Sequence, residues 1–170
     1  MKKWLSLLCA ITLIGASTTS LVACNTPQYS EEELTKLKAE NKINTVNQQI
    51  KDNLEWIAPQ EQPFNKVDNK YYFVVCRINK IDNWEIFKFQ NKEIKPGYIM
   101  KTSNPKINMS YWLASNYYTI GINKDDDWST FQGWIKENKN FNSVYCWNQL
   151  DKPEPDLVID DKGILKVKGE

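Results

Sequence analysis

An apolar run ending at Ala23 divides the 170-residue chain before any fold is considered. Met1-Lys2-Lys3 is a positive start with no acid beside it, and residues 5–16, Leu-Ser-Leu-Leu-Cys-Ala-Ile-Thr-Leu-Ile-Gly-Ala, are mostly apolar. Residues 17–23 are small and polar and close on Leu21-Val22-Ala23. That order is the pattern of a secretory signal peptide, in which charge holds the N-terminus inside while a short apolar segment enters the export machinery. A membrane-crossing helix takes about 20 predominantly apolar residues, and this run is shorter and is interrupted by Ser6, Thr12 and Gly15. Removal of residues 1–23 leaves 147 for the fold. That length suits one domain and buries a core without needing disulfides.

The last four residues of this region carry a more specific pattern. Leu21-Val22-Ala23-Cys24 resembles the bacterial lipobox, with an aliphatic residue at −3, a small or aliphatic one at −2, Gly, Ala or Ser at −1, and then cysteine. The resemblance covers residues 1–24 alone. It implies that the Cys24 thiol receives a diacylglyceryl group and that the chain is cut between Ala23 and Cys24. One acyl chain holds a protein marginally, whereas two or more, at about 0.8 kcal/mol per buried CH₂, anchor it stably. Residues 24–29 then form a lipid-anchored tether. At no more than about 3.6 Å per residue, it holds the domain close to the bilayer.

Charge excludes one class of partner. The leader removes Lys2 and Lys3 and no acid, so 22 basic residues against 21 acidic become 20 against 21, a net of −1. No basic field is present to attract nucleic acid. Lysine supplies 21 of the 22 basic residues, Arg77 the other, and asparagine occupies 18 positions. Such a Lys, Asn and Ile bias follows AT-rich codons. With the Lys-Lys leader and Val-Ala-Cys ending, the chain looks like a lipoprotein of the wall-less bacteria (mollicutes). That resemblance implies the outer face of a single cell membrane.

Past the tether, Ser30-Glu31-Glu32-Glu33 is a Ser-x-x-Glu capping box with acid in the first turn. No Gly or Pro interrupts residues 30–58. Leu34, Leu37, Ile43, Val46, Ile50, Leu54 and Ile57 recur at spacings of three or four, with one gap of six between Leu37 and Ile43. The pattern predicts one long helix over 30–57, stopped by Pro59. Its stripe is expected to pack on its own domain, because a heptad register would place Lys36 in the seam of a coiled coil. Residues 71–78 read as a central strand, 84–89 as its hairpin partner, and 97–101 as a short strand. Residues 109–122 read as aromatic and β-branched, divided at Ser115-Asn116.

Asp125-Asp126-Asp127 reads as the acidic start of a second helix near residues 126–139, with Trp128, Phe131, Trp134 and Ile135 on one face. Residues 143–149 form another strand, and 157–160 with 164–167 a hairpin turning at Asp161-Lys162-Gly163. The expected class is α+β: a long N-terminal helix, a mainly antiparallel β-sheet and the second helix, in a single domain over 30–170.

The absence of histidine excludes a Ser-His-Asp triad, a Cys-His pair and any His-based metal site. No Gly-x-x-x-x-Gly-Lys or Gly-x-Gly-x-x-Gly run is present to cradle phosphate. A calcium loop begun at Asn123 would need Gly at its sixth position and Glu at its twelfth, where the chain has Trp128 and Trp134. No metal or other cofactor is expected beyond the lipid on Cys24. Cys76 and Cys146 both fall in predicted strands. Export to an oxidising side would permit a bond between them, while buried free thiols serve equally well as small hydrophobes. Among the aromatic residues most belong in the core. Tyr145 and Trp147 are set apart, because alternation places them opposite Val144 and Cys146 as a contact patch if Cys146 points inward.

These features predict a membrane-anchored surface lipoprotein, monomeric, whose domain is a non-catalytic binding or interaction module for an extracellular ligand or a membrane protein. Two alternatives stand beside it: a solute-binding lipoprotein serving a transporter, and a hydrolase using carboxylates and a metal.

Overall fold

The computed structural model describes residues 28–95, 97, 99, 100 and 104–170. The leader, Ala23 and Cys24 lie outside them.

Helix α1 (Glu31–Glu40) starts on the capping box: Ser30 Oγ accepts from Glu33 N at 3.2 Å, and Glu33 Oε2 accepts from Ser30 N at 2.8 Å. The predicted continuous helix over 30–57 is corrected here, for α1 stops after ten residues. Asn41 turns its side chain back to donate to Leu37 O at 2.8 Å, and Tyr145 Oη donates to Asn41 O at 2.8 Å, so these two carbonyls are satisfied without another turn. Asn47 then caps a new helix, α2 (Gln48–Asn53), its Oδ1 accepting from Ile50 N. The chain leaves α2 directly into strand β1 (Leu54–Trp56). The apolar spacing was real, since Ile43, Ile50, Leu54 and Ile57 are all buried, but it serves a loop, a short helix and a strand.

Short 3-10 turns at Pro59–Glu61 and Pro63–Asn65 lead into β2 (Tyr71–Cys76), and β3 (Glu85–Gln90) returns against it. Then come β4 (Ile99–Met100), β5 (Ile107–Ala114) and β6 (Tyr117–Lys124), with Ser115-Asn116 as the β5–β6 turn and Ser115 at φ 56°. The second predicted helix is also corrected: Asp127–Gly133 is strand β7, paired antiparallel with β6. Asp125 and Asp126 take φ 49° and 60°, the left-handed pair that a two-residue hairpin turn requires and that Asp tolerates. Strand β8 (Phe141–Trp147) and the hairpin β9 (Leu157–Ile159) with β10 (Leu165–Val167) complete the chain.

Every strand pair is antiparallel, in a first sheet of order β1-β8-β2-β3, a second of order β4-β5-β6-β7, and the small β9–β10 sheet. The fold is α+β with few helices. The two larger sheets share a core in which Tyr72, Val74, Phe87 and Val144 of the first meet Met109, Tyr111, Ile120 and Ile122 of the second. Phe64 enters from the connector and touches four rings, Tyr72, Phe89, Tyr111 and Trp134, at centroid distances of 4.9–5.9 Å. The opposite face of the first sheet is buried as well. Phe73, Val75, Tyr145 and Trp147 lie there beneath Ile43, Ile50, Leu157 and Leu165, with Leu34 and Leu37 of α1 at the margin.

Candidate functional site

That second covering layer overturns the contact patch expected at Tyr145 and Trp147. Alternation does put them opposite Val144 and Cys146, yet they are only 6% and 1% exposed, because the N-terminal segment and the C-terminal hairpin cover that face. The Tyr145 hydroxyl, pushed up to about 12 by burial, is a structural donor to Asn41 O. Cys76 and Cys146 are buried free thiols. Cys146 stands opposite Tyr72, four residues along β2 from Cys76, which is about 13 Å at strand rise. A disulfide needs Cα atoms within about 7 Å. Burial pushes the Cys146 thiol up to about 11 and also raises that of Cys76 well above its ordinary value.

The aromatic surface lies instead on the outer face of the second sheet. There Ser110 and Trp112 of β5 alternate outward from Met109 and Tyr111, and Thr119, Gly121 and Asn123 of β6 alternate outward from Ile120 and Ile122. Gly121 and Gly133 are directly paired across β6 and β7. Their missing side chains seat two rings. Phe131 lies over Gly121, and the Trp112 indole passes 3.0–3.3 Å from where a Gly133 Cβ would stand. Phe131 meets Trp112 edge-on at 5.2 Å and stacks on Trp128 at 5.6 Å and 26°. Trp128 is 53% exposed, so the row of three rings ends at solvent.

Polar groups edge this row. Asn108 Nδ2 donates to Asp126 Oδ1 at 2.8 Å, and Asp127 Oδ1 accepts from Ser129 N at 2.9 Å. Those bonds from Ser129 hold the Asp127 carboxyl below the usual range, so the 125–127 turn presents carboxylates beside Trp128. On the same face Ser110 Oγ, Trp112 Nε1 and Asn123 Nδ2 are buried with no hydrogen-bond partner among the described residues.

A groove of about 560 Å³ lies between β10 and residues 40–46, floored by Asn142, Ser143 and Tyr145 of β8. Two carboxylates line it, Glu40 and Glu170. Glu170 already accepts from Thr45 Oγ1 at 2.8 Å and Val46 N at 3.3 Å. Among the described residues no group of three or more Cys, Asp or Glu side chains is placed to hold a metal ion, and no helix is long and apolar enough to cross a membrane.

The pattern that suggests a second helix puts Trp128 and Phe131 on its buried face, whereas both lie on strand β7. The signal that would have found the row is the pair of glycines inside otherwise β-forming stretches, which mark a close approach of another group. No protein family, curated protein or solved structure matches the chain.

Proposed function

We propose that the chain is a membrane-anchored surface lipoprotein whose folded domain is a non-catalytic binding module, with the Trp112–Phe131–Trp128 row as its contact surface. The observation that carries the reading is the row itself: Trp112 against Phe131 and Phe131 against Trp128, ending at a half-exposed tryptophan. Rigid aromatic anchors of this kind supply contact area at low entropic cost. The neighbouring carboxylates and amides suit a ligand with a flat apolar face edged by hydroxyls, which describes a carbohydrate.

The anchor reading rests on Leu21-Val22-Ala23-Cys24 and fits the way the domain begins. Gln60 exchanges two bonds with Tyr29, accepting from its N at 2.6 Å and donating to its O at 2.9 Å, and Lys136 Nζ donates to Gln28 O at 2.9 Å. The chain is thus pinned at residue 28, four residues from Cys24, a reach of at most about 14 Å. The domain works at the outer face of the cell membrane on this reading.

Two measurements test it. Radioactive fatty acid should label the wild type and not Cys24→Ser; equal labelling of both ends the anchor reading. Full chain in detergent, applied to an immobilised polysaccharide panel, should bind, and Trp128→Ala should lose about thirtyfold in affinity, the effect of a hot spot of about 2 kcal/mol. Equal binding by Trp128→Ala, or none by the wild type, refutes the ring face as the carbohydrate contact.

A further inference from the structure

The groove along β10 borders a strand edge that the fold leaves unused. Bonds from Asp160 N to Ile164 O and from Lys168 N to Asp156 O, both 3.0 Å, set the alternation of the β9–β10 ladder. Residues 164, 166 and 168 therefore pair with β9, and residues 165 and 167 turn their backbone groups to the opposite side. Val167 O accepts from Glu170 N at 3.4 Å. The Leu165 N–H, the Leu165 C=O and the Val167 N–H have no hydrogen bond among the described residues. The groove is lined by residues 163–167 and by none of β9, so it runs along this free edge. Its far wall is similar: Ile43 and Asn44 make no backbone hydrogen bond among the described residues.

The edge is also held still. Asn142 Nδ2 donates to Gly163 O at 3.0 Å, and Gly163, at φ 76°, fits against Trp84 where a Cβ would come within 2.8 Å. Leu165 and Ile43 are buried on either side of the groove, giving it an apolar lower level beneath polar rims. An unpaired edge invites strand addition, and natural folds keep such edges short and charged. This one is three residues long and carries Lys166, which is engaged with Asp160 at 3.0 Å.

We propose that the groove receives a single extended peptide segment of a partner protein, apolar at alternate positions, which adds to β10 as a further strand. Main-chain bonds to Leu165 and Val167 supply affinity, and the side chains that alternate downward toward Leu165, Ile43 and Tyr145 supply selectivity. A volume of about 560 Å³ lies within the ligand-sized range of about 300–1,000 Å³. Residues 42–46 wall the groove opposite β10, which suits a lone extended segment better than the edge of a second folded copy.

The probe is a phage-displayed library of random seven-residue peptides, panned on the full chain in detergent. Enrichment of peptides with alternating apolar residues is expected, with amide exchange at Leu165 and Val167 slowed at least tenfold when a synthetic peptide binds. Val167→Pro removes the groove-facing N–H without touching the ladder to β9 and should weaken binding at least tenfold. Asn44→Trp, at an exposed position, fills the groove and should do the same should the proline variant fold poorly. No enrichment, or full-affinity binding to Asn44→Trp with protection elsewhere, overturns the proposal. So does protection of Leu165 and Val167 that rises with protein concentration and no peptide, which would assign the edge to a second copy.

Discussion

Gly121→Ala tests whether the ring row is seated by a missing side chain. A Cβ at position 121 would collide with Cζ and Cε2 of Phe131 and lie 2.9 Å from Gln132 O. Carbon contacts settle at about 3.5–4.0 Å, so the ring must retreat by more than about 1 Å. Overpacking of this kind costs about 1–3 kcal/mol. Displacing Phe131 also disturbs its contacts with Trp112 at 5.2 Å and Trp128 at 5.6 Å, each worth about 0.5–1.5 kcal/mol. Against this, Gly121 is not at positive φ, and alanine there gains about 0.4–1 kcal/mol by restricting the unfolded chain.

The net expectation is a loss of about 2 kcal/mol. In a Phe131→Ala background the colliding ring is gone, and only Gln132 O on the edge strand β7 must give by a few tenths of an ångström. There the same substitution should be neutral or slightly stabilising. The coupling from the four-variant cycle is then about 2 kcal/mol, read as urea midpoints followed by tryptophan fluorescence. Coupling under about 0.5 kcal/mol, or equal destabilisation in both backgrounds, would refute the seating of Phe131 by Gly121.

Alkali should weaken the fold. Cys146 is held up to about 11 and Tyr145 up to about 12, so both favour the protonated native state; that stability is intact below the unfolded values near 9 and 10 and is lost as pH rises through the folded ones. Urea midpoints should fall from pH 9 upward, less steeply in Cys146→Ala, and a flat profile to pH 11 would contradict the burial. Phe64→Ala leaves a void among four rings and should cost about 3–5 kcal/mol, lowering Tm by about 10–15 °C in calorimetry. Lys38 Nζ lies 2.7 Å from Glu55 Oε1 and 2.6 Å from Glu61 Oε1, tying α1 to β1 and the connector. Because all three side chains are partly solvated, Lys38→Met should cost about 1 kcal/mol or less, an effect that 1 M salt should largely erase.

Strands whose turn chemistry is local were legible in the sequence. Ser115-Asn116 and Asp161-Lys162-Gly163 turn where their residue types predict, and the run beginning at Tyr71 is an inner strand of the first sheet. The two helix predictions failed for a common reason: a spacing of three or four also arises by chance in segments whose backbone bonds go elsewhere. At Asn41 and Asn47, asparagine side chains offer the backbone an alternative to a continued helix. At 125–127 the acids that suit a helix start suit a left-handed hairpin turn equally well, and pairing with β6 decided between them. Tyr145 and Trp147 were placed on the correct face, but which faces are covered depends on the N-terminal segment, about 100 residues back, and on the C-terminal hairpin, neither of which alternation encodes.

Strand β1 pairs with β8 alone, joining Leu54 to Trp147 across 93 positions. Contacts of such sequence separation close late, because loop-closure entropy must be met before they return any stabilisation. While the chain emerges from the ribosome, β1 has no partner until β8, 93 positions further on, has been made. The first sheet therefore stays incomplete until β8 has emerged, whereas β5, β6 and β7, consecutive in the chain, can pair as they appear.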